Sequence, residues 1–414
     1  MNFYKSASLA HPLMQRLGVL AACTVLANVF SLLAVVMLAR AMGTANFGVY
    51  YLLVSGVNIF VVPIALGLGA SIVHQIASGE LPGRVLGAAA IYAVGYLLIL
   101  CTVYEVIVSQ TNILLVNGLQ NFSLNLAGFA VATIFGLLVD AYLRGLKKTK
   151  VLGLLRLCTG FLNIIVAALI IIMGNVGPEA PLTTRTVELT AFIVLSLYWI
   201  RGINFPNLKM MKDVFKYALP ASISVTGLAI FVGSDKFIIA SLLDLSEAGR
   251  YSIAFFLSYT LVSRGVDIVL AIFFPEAVAN KNKADMASRL NQMTPKILLF
   301  FTPLVFSVMW LVTKFLGDAF MIGLWRSFFF SLGGMLFFIA HLHWWMISSV
   351  GSRGVTFFAL FSLLASVLVV ALNLVLVTKF GLDGALFSLL AGTLFLYISG
   401  NMTLWKISKG KWLP

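Results

Sequence analysis

Long uninterrupted apolar runs constrain the fold of this chain more than any other feature. A helix needs about 20 apolar residues to cross the hydrocarbon core of a bilayer, and twelve stretches are predicted to do so. They lie at residues 17–39, 48–71, 86–108, 122–143, 153–174, 187–201, 217–243, 251–275, 296–314, 327–350, 354–377 and 384–405. Only 10% of the residues are charged, against about 25% in soluble domains. The sequence therefore predicts an all-α integral membrane protein with about twelve transmembrane helices.

The lysines and arginines between the spans predict the orientation. Twenty of them fall in segments on the same side as the N-terminus, and six fall in segments on the other side. Cytoplasmic loops carry such an excess, so both termini are predicted to be cytoplasmic. The net charge of +14 follows from this bias and does not indicate nucleic-acid binding. The first apolar run is too long for a cleaved signal peptide and is expected to be the first span.

A weak internal repeat relates the two halves of the chain. Residues 39–51 align with residues 240–252 at an offset of 201. The identical positions are Ala39 with Ala240, Gly48 with Gly249, and Tyr50 with Tyr251. We predict two parallel six-helix bundles, residues 1–205 and 206–414, because transporters are often built from such repeats with the substrate site between them.

Four charged residues lie inside apolar runs in the middle of the chain: Asp235, Lys236, Arg264 and Asp267. A charge in hydrocarbon costs several kcal/mol, so it is normally paired or faces a cavity. These residues are the candidate substrate site. Three cysteines lie in other apolar runs without metal-ligand spacing, and we expect neither a metal nor a cofactor.

Each candidate also has a structural interpretation. Arg264 is expected ~20 Å below the outer end of its helix, where it either binds substrate or pairs with Asp267 one turn later. Lys236 either lines the cavity or extends to the membrane surface as an anchor. Asp235 either pairs with a cation, the favoured role, or holds a proton or sodium ion that drives transport. Asp140, paired with a nearby arginine at the inner end of the fourth span, is interpreted as a solvated anchor.

Three stretches resemble one family of membrane proteins. They are LARAMGTANFGVY (38–50), DKFIIASLLDLSEAGRY (235–251) followed by Pro275, and Asn373 followed by FGLDGA (380–385). These are similar to the motifs of the Wzx-type polysaccharide flippases, members of the multidrug/oligosaccharidyl-lipid/polysaccharide exporter superfamily.

The resemblance implies two bundles that form a V around a central cavity. It implies that an undecaprenyl-pyrophosphate-linked oligosaccharide, such as an O-antigen unit of lipopolysaccharide, is moved across the bacterial inner membrane. Whether the protein acts alone or beside a polysaccharide polymerase stays open.

Two other function classes are alternatives to this one. An ion-coupled exporter of small amphipathic compounds would share the fold. A membrane glycosyltransferase would need clustered carboxylates for a metal, and no DD or DxD cluster lies at the inner face. We therefore predict a transporter and not an enzyme. A phosphate-binding GxxxxGK[ST] loop is also missing from the sequence, so the energy is expected to come from an ion gradient or from the substrate gradient.

Overall fold

The computed structural model describes residues 3–110, 122–174, 176–200, 202–266, 268–269, 282–350 and 352–409. Every regular element in this part of the chain is helical, and the predicted all-α class is confirmed. The first six helices are α1 (Phe3–Phe60), α2 (Val62–Ala77), α3 (Pro82–Gln110), α4 (Phe122–Gly145), α5 (Thr149–Ile172) and α6 (Ala180–Ser196). The other six are α7 (Leu208–Leu242), α8 (Leu245–Phe255), α9 (Lys283–Leu316), α10 (Leu324–Ser348), α11 (Ser352–Phe380) and α12 (Leu382–Ser408).

Helix α1 contains the first predicted span and part of the second. Its apolar segment Gly18–Phe60 has 43 residues, which corresponds to ~65 Å of helix and is twice the thickness of a bilayer core. The helix is interrupted at Gly43, whose φ of 76° and ψ of 175° are open to glycine and costly for other residues. This single residue therefore separates the two predicted spans, and α2 continues the second of them.

Nine helices in the described residues are long and apolar enough to cross a membrane. Helix α6 is shorter, with 17 residues, and it begins at Ala180 instead of the predicted residue 187. Pro181 stands in its first turn, where the missing N–H of proline costs nothing. Helix α8 continues through a π-helical segment, Phe256–Thr260, towards residues 270–281, which lie outside the described part.

Contacts divide the chain into two compact units that interleave along the sequence. Unit one contains Met1–Leu38 and Phe60–Ile223, and unit two contains Ala39–Ile59 and Ser224–Pro414. They differ from the predicted halves 1–205 and 206–414 by two exchanged segments, residues 39–59 and 206–223. The assignment of the halves as six-helix bundles stays a prediction.

The same packing pattern occurs in both units. Helix α4 packs on α2 and α6, and α10 packs on the π-helical segment and α12. In unit one, Gly160 of α5 lies against Ala27 of α1, where an added methyl group would be 3.1 Å from the Ala27 backbone. In unit two, Gly227 of α7 lies against Ser362 of α11. With the offset of 201, Gly160 corresponds to the position before Ser362, and Ala27 corresponds to the position after Gly227. The two contacts are therefore equivalent to within one residue.

A reciprocal contact within unit two shows the repeat most directly. A Cβ on Gly48 would lie 2.1 Å from the carbonyl oxygen of Leu245, and a Cβ on Gly249 would lie 2.0 Å from that of Thr44. Gly48 and Gly249 are 201 residues apart, and so are Thr44 and Leu245, which supply the two carbonyl oxygens. The Thr44 and Ser246 hydroxyls are 2.5 Å apart beside this contact. The sequence repeat therefore corresponds to a local two-fold arrangement in which each glycine admits the backbone of the other segment.

Candidate functional site

A fully buried ion pair lies in α7. Asp235 is 0% exposed and Lys236 is 2% exposed, and Lys236 Nζ is 2.9 Å from Asp235 Oδ1. The ammonium group also donates a hydrogen bond of 2.6 Å to the Val232 carbonyl oxygen. Lys236 stands six residues before the end of α7, about 9 Å along the helix, but its side chain turns inward. Its interpretation as a surface anchor is wrong.

The Asp235 carboxylate also joins α7 to α8. Its Oδ1 accepts a 2.8 Å hydrogen bond from the Lys236 backbone N–H, and its Oδ2 accepts one of 2.6 Å from the Tyr251 hydroxyl. Both oxygens therefore have partners, which a buried carboxylate requires because leaving a buried charge unpaired costs several kcal/mol.

Aromatic rings cover the buried ammonium group. Lys236 Nζ lies 3.6 Å from the centroid of the Phe255 ring and 5.7 Å from that of Tyr251. A desolvated cation gains about 2 kcal/mol from such a contact. Tyr251, Phe255 and Tyr259 are spaced four residues apart, which places them on one face of the helix. Phe255 stacks on Tyr259, whose hydroxyl is 3.1 Å from the Thr393 hydroxyl.

The π-helical segment of α8 fits against two glycines of α10. A Cβ on Gly333 would lie 2.2 Å from the Tyr259 hydroxyl, and a Cβ on Gly334 would lie 2.2 Å from the Ser258 carbonyl oxygen. π-Helical segments occur frequently at functional sites. The paired glycines in the tenth span therefore allow close approach to the widened helix beside the buried ion pair.

Arg264 lies farther along the same span. It stands in the helical residues 261–266 and is half-buried. It follows Phe255 by nine residues, about 13 Å along a helix. Asp267, its predicted neighbour, lies outside the described residues. The roles of Arg264, Lys236 and Asp267 in substrate binding, and of Asp235 in ion coupling, stay predictions.

A second cluster, in unit one, contains the predicted pair of Asp140 with Arg144, but its burial and its link to another helix were not expected from the sequence. Asp140 is 6% exposed, pairs with Arg144 one turn later, and lies 2.6 Å from Arg156 Nη2 of α5. Arg156 also approaches the Thr24 hydroxyl of α1 at 3.5 Å. Asp140 is therefore a buried link between helices, and its interpretation as a solvated anchor is wrong.

The buried charges do not follow the repeat. The positions equivalent to Asp235 and Lys236 in the first half are Ala34 and Val35, and the position equivalent to Asp140 in the second half is His341. Packing contacts recur at the offset of 201, whereas these charges do not. The two repeats therefore have different chemistry on a similar frame.

Residues 13–275 match the model of a family described as "Polysaccharide biosynthesis protein". This match covers more than half of the chain. The chain belongs to this family. The membership agrees with the resemblance seen in the three sequence motifs and confirms it.

One curated relative is 25% identical over 308 residues, the "Probable low-salt glycan biosynthesis flippase Agl15" of Haloferax volcanii. The match covers 68% of this chain and 61% of the relative, so the chain spans less than two thirds of the length of that protein.

Solved structures of similar fold are transporters. One is the outward-facing form of a multidrug resistance MATE family transporter of the MOP superfamily, with a TM-score of 0.67, 15% identity and 96% of each chain covered. Another is a MOP superfamily transporter from Pyrococcus furiosus, with a TM-score of 0.66, 14% identity and the same coverage. At this identity the likeness shows the fold alone. Together with the nine apolar helices of the described residues, it supports a multi-pass membrane protein.

Proposed function

We propose that this protein is a flippase that moves an undecaprenyl-pyrophosphate-linked oligosaccharide from the inner to the outer leaflet of the bacterial cytoplasmic membrane. The family match and the name of the curated relative, a glycan biosynthesis flippase, support this assignment. In this proposal the protein works by alternating access of two bundles in a V, with both termini cytoplasmic. The glycan is an O-antigen-type unit of lipopolysaccharide, which a polysaccharide polymerase then extends.

The observation that carries the proposal is the set of charges inside unit two. A diphosphate concentrates negative charge, and cations in a low-dielectric site bind it far more strongly than in water. Arg264 is half-buried, lies in the middle of the predicted span 251–275, and has the planar guanidinium group that matches a phosphate with two parallel hydrogen bonds. We assign the diphosphate to Arg264, with Asp267 as its neighbouring acid.

The buried pair supplies a means of ion coupling. Asp235 holds Lys236 by a direct ion pair and the Tyr251 hydroxyl by a hydrogen bond. A proton or sodium ion on Asp235 would neutralise the carboxylate and leave the ammonium group without its counter-ion. A buried unpaired cation is costly, so Lys236 would then turn towards an anionic substrate. In this scheme the Lys236 side chain couples ion binding at Asp235 to substrate binding.

The proposal is tested by flipping of a fluorescent undecaprenyl-pyrophosphate oligosaccharide in proteoliposomes. Wild type is expected to flip the lipid, Arg264→Ala to lose at least tenfold in rate, and Arg264→Lys to recover only part of it. Arg353→Ala is the matched control, since Arg353 is exposed at the start of α11, and it is expected to flip at the wild-type rate.

Two results would contradict this proposal. If wild type moves no lipid-linked glycan but exports a small amphipathic dye down an ion gradient, the protein is a drug exporter on the same fold. If folded Arg264→Ala flips normally, the arginine is structural and the assigned site is wrong.

A further inference from the structure

Unit two contains a cavity of about 440 Å³, and neither residue of the buried ion pair lines it. It forms where three connections meet: the α7–α8 turn, the α9–α10 connection and the α11–α12 turn. Small-molecule sites have volumes of about 300–1,000 Å³, so the cavity is large enough for one. All three connections lie on the side that the lysine and arginine distribution predicts to be the outer face.

The wall of the cavity combines charged and apolar groups. The charged side chains are Asp244, Glu247, Arg250 and Arg326. The apolar side chains are Leu243, Met321, Ile322, Phe380 and Leu382. Phe380 is 57% exposed, so part of its ring is open to a ligand.

The arginines are held in place but keep free donors. Arg250 Nη1 is 2.9 Å from Glu247 Oε1, and its Nε donates to the Ala319 carbonyl oxygen at 2.8 Å. Arg326 Nε is 2.5 Å from Asp383 Oδ1. A guanidinium group has five N–H donors. Within the described residues these contacts do not use the second terminal nitrogen of Arg250 or the two terminal nitrogens of Arg326, so these donors are available to a ligand.

The balance of charge disfavours a strongly anionic ligand. Asp244 and Glu247 carry two negative charges on the wall, against two positive charges on Arg250 and Arg326, and Arg326 is also paired with Asp383. A diphosphate would meet no excess of positive charge. A sugar is neutral, its hydroxyl groups both donate and accept hydrogen bonds, and its C–H face packs on an aromatic ring by dispersion. Carboxylates, guanidinium groups and an open phenylalanine are complementary to such a ligand.

We infer that this cavity is a carbohydrate-binding subsite that receives sugar rings of the glycan at the outer end of unit two. The inference rests on the proposed function and extends it, because it separates recognition of the glycan from recognition of the diphosphate. Glu247 and Asp244 accept hydrogen bonds from sugar hydroxyls, Arg250 and Arg326 donate to them, and Phe380 lies against the ring.

The test uses the full-length protein in detergent and the oligosaccharide released by mild acid from the lipid carrier of the source cells. This probe has no diphosphate and no lipid. Binding is measured by saturation-transfer NMR and by tryptophan fluorescence, because the Trp325 ring lies 5.4 Å from Arg326 Cζ. Trp325→Phe is expected to remove the fluorescence change and to keep the NMR signal. Inorganic pyrophosphate, tested in parallel, is expected not to compete.

Three substitutions test the cavity itself. Glu247→Gln and Arg326→Gln are each expected to weaken binding at least tenfold. Met321→Trp fills the cavity without changing its charge, and Met321 is 42% exposed, so this variant tests the site even if the charge variants fold poorly. Arg289→Gln is the matched control, since its pair with Asp285 is exposed and lies outside the cavity, and binding is expected to stay at the wild-type level.

The inference is overturned if no released oligosaccharide binds, if binding survives all three substitutions, or if pyrophosphate competes with the sugar. Flipping measured on the same preparations separates this inference from the proposed function. Wild type that flips the lipid-linked glycan but binds no released oligosaccharide refutes the subsite and leaves the flippase assignment standing. Wild type that binds the oligosaccharide in the cavity but flips nothing refutes the flippase assignment.

Discussion

The reciprocal glycine contact gives the sharpest test of the fold. An alanine at Gly48 would place its Cβ 2.1 Å from the Leu245 carbonyl oxygen. A carbon atom normally approaches a carbonyl oxygen no closer than about 3.3 Å, so the two backbones must separate by roughly 1 Å. The obstacle is backbone, at the first residue of α8, and backbone cannot turn aside as a side chain can. We expect Gly48→Ala to destabilise the protein by about 1–3 kcal/mol, the usual cost of overpacking.

The control for this change is Gly95→Ala. Gly95 lies exposed on α3, and no atom lies within 4 Å of an added Cβ. Alanine favours a helix over glycine by up to about 1 kcal/mol, so this variant is expected to be neutral or slightly more stable. Thermal unfolding of the purified proteins in one detergent measures the difference. In a large chain 1 kcal/mol moves Tm by a few degrees, so Gly48→Ala is expected to melt several degrees below Gly95→Ala.

Because the contact is symmetric, the same substitution at the second glycine is expected to have the same effect. Gly249→Ala would place its Cβ 2.0 Å from the Thr44 carbonyl oxygen and is expected to cost about as much as Gly48→Ala. The double variant is expected to cost less than the sum, because one separation of the helices relieves both clashes. Equal melting temperatures for Gly48→Ala and Gly95→Ala, or strictly additive losses, would refute the reciprocal contact.

Three further predictions concern buried charges and close packing. Lys236→Met is expected to destabilise the protein by about 3–5 kcal/mol because it leaves Asp235 buried without its cation. Adding Asp235→Asn is expected to restore much of this loss. A melting temperature of the double variant below that of Lys236→Met would contradict the prediction. Asp140→Asn is expected to cost about 1–3 kcal/mol by leaving two partly exposed arginines unneutralised, whereas the exposed control Asp285→Asn should stay within about 0.5 kcal/mol of wild type. Gly334→Ala is expected to lower the melting temperature as Gly48→Ala does, since a methyl group there meets a backbone carbonyl of the π-helical segment, and an unchanged melting temperature would refute that packing.

Some features of the fold follow from the sequence because they depend on one segment at a time. An apolar run of about 20 residues can satisfy its backbone in a membrane as a helix, whatever surrounds it. The all-α fold and most of the span positions were therefore predictable. The shift of α6 to Ala180 was not, because the threonines and the proline in its first turns look like a loop when only hydropathy is considered.

The candidate site was predictable in part for the same reason. Asp235 and Lys236 are adjacent in the sequence, so their pairing needed only local geometry. The hydrogen bond from Tyr251 and the contact of Arg156 with Asp140 join different helices. No spacing in the sequence indicates such partners.

The sequence by itself determined that the chain is a repeated, helical membrane protein of the polysaccharide biosynthesis family, with a few charges placed inside its spans. Only the tertiary structure decided which helices those charges connect, where the two glycines of the repeat meet, and which segments of the chain belong to each unit. The physical reason is that the helices are surrounded by lipid instead of water. Hydrophobicity places a helix in the membrane but does not select its neighbours, since lipid is as apolar as the helix surface. Neighbours are selected by close packing at small residues and by buried polar contacts, and both depend on the complete arrangement of helices.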